Sequence, residues 1–501
     1  LNNITIRENH QKEIKQLQEQ ITNFFMQRRF QNNPLPLTLK YHSSDSYTIR
    51  TKSYKKGCHT LDCGALNHII EIDPKKQTVI VEPRVTMNEL LNATIPYGLT
   101  VPVIPELKEI TVGGAIMGMG AESASHKWGT FNDACTSFQI IIGDGTLLKV
   151  SPFENSDIFY GIPGSYGSLG TLVAAEIKLI PAKDFVHLRY HIFSKPIEAV
   201  QALGTLSRSS RPPDFLDGII FEKNLAVVIE GNLESKENIS QNLPKFSQNP
   251  IYSKMYFQHV NEIAFKHSSQ PYEELMTHQD YFFRYDQGAF WMGAYVFQLP
   301  LMFRFIMQAI LKISKPTQEW LNEAEIQNFH KIPNPNIFLR TLLHPFMRGK
   351  KLCKFLHKAE KWVQNRSIIQ DFGIPEKNAS SFLTDVLDDP GIFPIWLLPI
   401  KGTNSPQIFA PHLLSGTERE SYFINFGLYG IPSYSCSIEE ITKKLEQKTQ
   451  LHEGRKALYS RSYYNQDEFW SIYSHEAYDA LRNKTFAEGV WHEITDKVLS
   501  V

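Results

Sequence analysis

"ITVGGAIMGMGAESASHKWG", residues 110–129, sets five glycines into twenty residues and closes on His-Lys-Trp-Gly. Glycines at this density let successive main-chain N–H groups approach an anion with no Cβ in the way. The flanks then decide which anion. A P-loop needs Gly-Lys-Ser/Thr at the start of a helix, and no such tripeptide follows. Gly118-Met119-Gly120-Ala121-Glu122-Ser123 approximates the Rossmann GxGxxG, with Ser in the last place. The segment before it, "VPVIPELKE" (101–109), is too proline-broken for a central parallel strand. The segment after it, "SFQIIIGDGTLLKVS" (137–151), is a hairpin turned by Gly-Asp-Gly, where a Rossmann unit needs a crossover helix. What remains is a glycine-bearing turn whose amides face a pyrophosphate with something planar attached. Gly113 and Gly114 pass against the flat part, and Thr111, Glu122 and Ser123 add side-chain hydrogen bonds. A tight bend packed only on itself is the competing reading.

Around that loop the pattern is one of short strands and hairpins. "YTIRT", "IIEID" and "TVIVEP" alternate, with "DPKKQ" as a turn between the last two. "TMNELLNATIPYGL" (86–99) is a short helix opened by Thr86, with Glu89 completing a capping box. "GIPGSYGSLG" (161–170) and the strand "TLVAAEIKLIPA" (171–182) finish an α+β unit. Ahead of it, Ile14, Leu17, Ile21 and Phe24 mark an amphipathic helix over residues 10–30. Beyond Pro181, "VHLRYHIF", a helix near 196–209, "GIIFEK", "LAVVIEGN" and "YFINFGLYG" predict a second α+β domain. "NQDEFWSIYSHEAYDALRNKT" (465–485) has helical spacing throughout. The expected division is an N-terminal helical segment (1–40), a first domain (41–182), a second (183–455) and a C-terminal helical segment (456–501) that returns to the first.

Composition narrows the function classes. With 501 residues, 52 Lys+Arg and 52 Asp+Glu, the chain is globular and its charge balance predicts no nucleic-acid partner. The five cysteines, Cys58, Cys63, Cys135, Cys353 and Cys436, are odd in number and lack CxxC spacing. They predict a reducing, cytoplasmic setting and no structural metal. No charged-then-apolar signal opens the chain, which begins at Leu1, so a segment upstream of it stays an open question. "FWMGAYVFQLPLMFRFIMQAILKIS" (290–314) is as long as a membrane span but is broken by Pro300 and Arg304. A buried helix pair under a cavity and a face in peripheral contact with a membrane both suit it.

The order from "VEPRVTMNELL" through the glycine loop to "LVAAEIKLIPA" resembles the FAD-binding domain of the vanillyl-alcohol oxidase, or PCMH, type. With "QDFGIP", "FPIWLLPI", "YFINFGLYG" and "YYNQDEFWSIY", the protein more narrowly resembles the delta-24 sterol reductases. The fold this implies is α+β, a two-domain flavoprotein with an FAD-binding domain and an α+β substrate, or cap, domain. The resemblance implies that Thr111, Val112, Gly113, Gly114, Ala115, Ile116, Met117, Gly118, Met119, Gly120, Ala121, Glu122 and Ser123 wrap the FAD, joined by His126 and Lys127. It places Gly164, Gly167 and Gly170 against the cofactor and Val173 beside its adenine end. "RTKSYKK" (50–56) stands where relatives carry a glycine-rich turn, sometimes with a His bonded to the flavin. Having neither, it implies non-covalent FAD, with Arg50, Lys52 and Ser53 at the pyrophosphate.

The implied activity is reduction of the double bond in the side chain of a sterol or related isoprenoid lipid, with NADPH as transient electron donor. An alcohol or sugar oxidase of the same fold and a lipid-binding flavoprotein without turnover are the alternatives. Reducing an isolated alkene needs an acid in a dry, aromatic cavity. Glu122, His126 and Tyr463 are the catalytic candidates, with Lys127 a further polar group, although His126 and Lys127 equally suit structural hydrogen bonds. Asn465 suits an N-cap over Glu468 as well as catalysis. Arg284, His344 and Arg461 suit a polar head group, and Phe290, Trp291, Phe393 and Trp396 suit cavity walls or plain core.

Overall fold

A computed structural model describes residues 3–30, 35–40, 50, 53–239, 242–267, 271–297, 337–349, 351–352, 365–414, 421–432 and 436–499. The expected strand "YTIRT", apart from Arg50, lies outside them. So do Lys52 and everything in 290–314 beyond residue 297.

The first unit is a five-stranded antiparallel sheet. Its strands are β1 (Ile69–Asp73), β2 (Thr78–Val81), β3 (Cys135–Ile141), β4 (Leu147–Val150) and β5 (Thr171–Lys178), in the order β1-β2-β5-β3-β4. The predicted hairpin is β3-β4, with Phe138 opposite Val150. Thr86 caps the helix Met87–Thr94, and the Glu89 side chain returns to the Thr86 N–H, forming the expected box.

The second unit is an eight-stranded antiparallel sheet. It comprises β6 (Phe185–Phe193), β7 (Phe215–Glu222), β8 (Leu225–Glu234), β9 (Tyr272–Thr277), β10 (Ile368–Pro375), β11 (Ile395–Lys401), β12 (Tyr422–Gly430) and β13 (Arg455–Lys456). The order is β9-β6-β8-β7-β11-β12-β10-β13. Alternation along each strand sorts the residues between two faces. Leu216, Ile220, Ile395, Leu397, Phe372 and Phe426 lie under the helices Pro196–Ser207, Glu376–Asp388 and Ile438–Leu451. The opposite face, with Phe215, Ile219, Trp396, Leu398 and Tyr429, shares one core with the glycine-loop residues Val112, Ala115 and Ile116. The site therefore lies between two covered sheets.

Two expectations need correction. The loop at 110–129 is not a turn throughout, because residues Val112–Gly118 form a short helix. Thr111 caps it through the Gly114 N–H, and Met119 ends it in a left-handed conformation. The helix predicted over 465–485 is two helices, Gln466–Ile472 and His475–Lys484. Ser474 is extended between them and its side chain accepts from the Ala477 N–H, so it opens a new helix.

The hairpin turn Gly143-Asp144-Gly145 is held from both sides. Gly145 has φ +91° and faces the N-terminal helix, where Gln18 donates to its carbonyl at 2.9 Å. Gly143 needs glycine for another reason: a Cβ there would overlap the Phe486 carbonyl, and its N–H donates to Thr485 at 2.8 Å. The N-terminal helix, through Ile14, Leu17 and Ile21, and the C-terminal residues Val490 and Trp491 form one small core against Ile141 and Val173. Gly143→Ala is expected to cost roughly 2–3 kcal/mol in urea unfolding, the scale of overpacking in a close-packed site.

Candidate functional site

The two glycine-rich stretches are neighbours. A Cβ on Gly164 would stand 2.7 Å from Phe409 and 3.1 Å from Met119 Sδ, and Ser165 Oγ donates to Met117 Sδ at 3.7 Å. Gly113 presses on Pro83 and Gly120 on Pro105, each leaving only 2.9 Å for a Cβ. Val112, Ala115 and Ile116 point into the core, whereas Thr111, Gly113, Gly114, Met117, Gly118 and Ala121 keep accessible surface. The stretch thus offers backbone and small groups on one side. Val173 is fully buried in the core under the N-terminal helix.

Positive charge gathers at the second glycine turn. Gly164 and Gly167 have φ +76° and +72°, shaping a bend in which Tyr166 also takes a positive φ. The Arg50 guanidinium lies 4.0 Å from the centre of the Tyr166 ring and donates from Nη1 to the Lys497 carbonyl at 2.9 Å. Lys497 Nζ donates to the Tyr166 carbonyl at 3.0 Å, and Arg482 to the Ser168 carbonyl at 2.8 Å. Among the described residues no carboxylate forms an ion pair with these three cations. Arg50 Nε and Thr171 Oγ1 are buried with no hydrogen-bond partner there. Burial pushes Lys497 down to about 7, helped by Arg50, Lys55 and Arg482 and opposed by Asp496. Arg482 spends its terminal nitrogens on the carbonyls of Ser168, His492, Ala487 and Trp491, whereas Arg50 and Lys497, buried cations with donors to spare, have the chemistry of an anion cradle. The pyrophosphate of FAD fits this donor set. Ser53, on the neighbouring turn, is exposed.

Negative charge gathers at the other end. Arg284, fully buried, donates from Nη2 to Glu122 at 2.9 Å and to Asp217 at 2.9 Å. Asp217 also accepts from Tyr285 OH at 2.9 Å and Trp396 Nε1 at 3.1 Å. Glu122 takes further bonds from the N–H and hydroxyl of Ser123, whose Oγ accepts from Tyr281 OH at 2.9 Å. Burial raises the Glu122 carboxyl and Arg284 opposes that rise. Burial also disfavours the Arg284 charge, but Asp217 and Glu122 outweigh it and hold the guanidinium above its ordinary value. Beside this group, Asp371 accepts from Asn425 at 2.6 Å, Tyr429 at 2.8 Å and Tyr459 at 2.6 Å. Tyr459, which donates to Asp371, also lies within electrostatic reach of Tyr166 at the second glycine turn.

Aromatic rings wall the carboxyl end. Phe290 stacks on Tyr285 at 4.4 Å and packs against Trp396 at 5.0 Å and Tyr429 at 4.9 Å, while Trp291 Nε1 donates to the Tyr429 carbonyl. Of the four expected wall residues, Phe290, Trp291 and Trp396 stand together; Phe393 belongs to the helix-covered face.

The other candidates are placed plainly. Both ring nitrogens of His126 face main-chain carbonyls, Ser123 at 3.0 Å and Pro213 at 2.8 Å, and burial lowers the imidazole to about 4. Lys127 pairs with Asp214 at 2.8 Å. With the Leu216 N–H donating to the Ser123 carbonyl, these contacts tie the loop to β7. Tyr463 is not beside Glu122: its N–H donates to Glu446, and its hydroxyl stands 3.5 Å from Arg461. Asn465 caps Gln466–Ile472 with Glu468. Arg284 holds carboxylates, and His344 is buried. Glu106, Asp217, Asp371, Tyr459 and Lys497 were missed by sequence reasoning. A single polar residue in a strand apolar on both faces, such as Asp217 in "FLDGIIF" (215–221), was the available signal. Among the described residues no cluster of His, Cys, Asp or Glu suits a metal ion, and no helix is long and apolar enough to cross a membrane.

Arg284→Met is expected to lose about 3–5 kcal/mol of stability by urea titration, because Glu122 and Asp217 would stay buried without their counter-charge.

Residues 37–151 match the FAD binding domain family. The chain is 31% identical over 453 residues to the Delta(24)-sterol reductase of Homo sapiens, covering 90% of this chain and 80% of that protein. It is 28% identical to the Delta(24)-sterol reductase of Pisum sativum, covering 89% and 77%. The decaprenylphosphoryl-beta-D-ribose oxidase of Mycolicibacterium smegmatis is 32% identical over 124 residues, or 25% of this chain and 27% of that protein. A likeness that spans both sheets, joined to an FAD binding domain and the anion cradle, identifies the chain as a member of the Delta(24)-sterol reductase family of FAD-dependent oxidoreductases.

Proposed function

We propose that the protein reduces the double bond in the side chain of a sterol or a closely related isoprenoid, with non-covalent FAD as cofactor and NADPH as electron donor. The observation that carries this reading is the paired lining: buried cations suited to a pyrophosphate at one end, and an aromatic wall with buried carboxyl groups at the other. The names of the relatives support a sterol, and an aromatic, enclosed site suits an apolar chain better than a polyol.

On this reading residues 41–182 hold the cofactor, 183–455 cover the substrate and 456–501 return to complete the cradle. Arg50, Lys52, Ser53, Gly164, Gly167, Gly170 and Lys497 are assigned to the pyrophosphate side, and Thr111–Ser123 to the length of the cofactor. When bound there and reduced, FAD would supply the hydride chemistry. The protein does the rest. Phe290, Trp396 and Tyr429 exclude water, and their ring faces offset positive charge as the alkene is protonated. Of the catalytic candidates, Glu122 is best supported, since it stands among the carboxyl groups. The contacts of His126 favour a role in holding the loop, and those of Tyr463 favour a role in seating the C-terminal segment.

Anaerobic mixing with NADPH is expected to bleach the flavin spectrum, and a sterol with an unsaturated side chain to restore it. An unchanged spectrum with NADPH, but bleaching by a polyol, would replace this reading with an alcohol oxidase. The cradle makes a separate prediction. Lys497 is charged below about pH 7 in the protein alone, so FAD affinity, followed by quenching of flavin fluorescence, should weaken as pH rises through 7. Lys497→Met should lower affinity at pH 6 about tenfold, ~1.4 kcal/mol, and flatten that slope.

A further inference from the structure

Three side chains that lie far apart in sequence form a row beside the anion cradle. Cys58 Sγ stands 3.3 Å from His492 Nε2, and His492 Nδ1 stands 3.5 Å from Asp496 Oδ2. The bond from His492 is the leading cause that holds the Asp496 carboxyl below its ordinary value, and it outweighs the effect of burial. With the Nδ1 proton directed to a carboxylate, the tautomer is set and Nε2 turns its lone pair to the thiol. A nucleophile, a base within reach of it and a third group that orients the base are the parts of an activated nucleophile.

Each member is held from behind. Gly57, at φ +79°, turns the chain after the short helix Ser53–Lys55, and the Cys58 N–H donates to the Lys55 carbonyl at 3.3 Å. The Tyr54 ring meets the imidazole edge to face at 5.2 Å, and Arg482 donates to the His492 carbonyl at 3.4 Å. Asp496 stands on the helix Ile494–Val498, one residue before Lys497. Cys58 itself is half-buried, so a small reagent can reach it. The other described cysteines differ. Cys63 and Cys135 are buried, and burial pushes Cys63 up to about 12 and Cys135 well above its ordinary value. Cys436 donates to the Glu440 carboxylate at 2.8 Å, which raises its thiol. Burial raises Cys58 as well, so this thiol gives up its proton at neutral pH only to a neighbour placed to receive it, and His492 is so placed.

We propose that Cys58 is a nucleophilic thiol, activated by His492 and Asp496, that exchanges with small soluble disulfides and thereby sets how firmly the neighbouring cradle holds its anion. His492 Nε2 takes the Sγ proton as Sγ attacks one sulfur of the disulfide. The S–S bond breaks, a mixed disulfide forms on Cys58, and the departing thiolate takes the proton back from the imidazolium. Cys58 is oxidised and one thiol equivalent of the reagent leaves reduced, so no further oxidant enters. The link to the cradle is short. Tyr54 lies within electrostatic reach of both Cys58 and Arg50, Lys497 follows Asp496, and Arg482 holds the His492 carbonyl. A substituent on Sγ competes with the imidazole for one space, and so disturbs the turn and the helix that carry Lys55 and Lys497. The exchange is independent of the reductase reading; its effect on FAD rests on the cofactor assignment made there.

The test treats the whole FAD-loaded protein with glutathione disulfide and locates the adducts by peptide mass mapping. Near pH 7, Cys58 is expected to be labelled roughly tenfold faster than Cys436. Cys63 and Cys135 should stay unlabelled while the protein is folded. In His492→Gln the Cys58 rate should fall to about that of Cys436, and continued silence of Cys63 and Cys135 shows that the fold has survived. Should that variant unfold and expose them, the ratio of Cys58 to Cys436 in the parent decides alone. The mixed disulfide should weaken FAD binding about tenfold by flavin fluorescence, and a dithiol reductant should restore it. Labelling of Cys58 no faster than that of Cys436, or an unchanged Cys58 rate in folded His492→Gln, overturns the activated thiol. An adduct on Cys58 that leaves FAD affinity unchanged overturns its link to the cradle. A flavin that NADPH does not reduce counts against the reductase reading instead, and both the labelling rates and the FAD affinity remain measurable.

Discussion

One guanidinium holds the two sheets in register around the site. Arg284 shares a single nitrogen between Glu122 of the glycine loop and Asp217 of β7, with nothing of it exposed. Such a contact does not exist to add stability, since a well-packed apolar trio would serve as well. It joins the glycine loop to β7, and Tyr281, Tyr285 and Trp396 add donors around that joint. His126 and Lys127, reaching Pro213 and Asp214, repeat the same joint a few residues on.

The lining is polarised as a result. Cations from three separate stretches, Arg50, Arg482 and Lys497, converge on the second glycine turn, and carboxyl groups converge at the far end of the first. A dinucleotide with a charged middle and a neutral reactive ring suits that gradient.

How much of this was legible depended on whether the information was local. The Thr86 and Asn465 caps, the β3-β4 hairpin and four of the eight strands of the second sheet, β6, β7, β8 and β12, are written in spans of a few residues, and the structure has them. The loop's short helix was concealed because glycines signal a turn more loudly than Thr111 signals a cap. Ser474 was overlooked because apolar spacing runs straight across it. The partners of Glu122 were beyond reach for a different reason: Asp217 and Arg284 lie far along the sequence, and only the sheet order brings them to it. Phe393 shows the limit of aromatic counting, since its place in the sequence near Trp396 hides the fact that it lies on the other face.

The Gly143–Gly145 turn is gripped by elements far apart in sequence, with Gln18 and Thr22 on one side and Thr485 and Phe486 on the other. During synthesis, the five-stranded sheet is complete by residue 178, but the surface that receives Trp491 and the cations Arg482 and Lys497 waits for residues made more than three hundred positions later. The five-stranded sheet therefore keeps the part of its apolar face around Ile141 and Val173 open to Val490 and Trp491 until those residues are made.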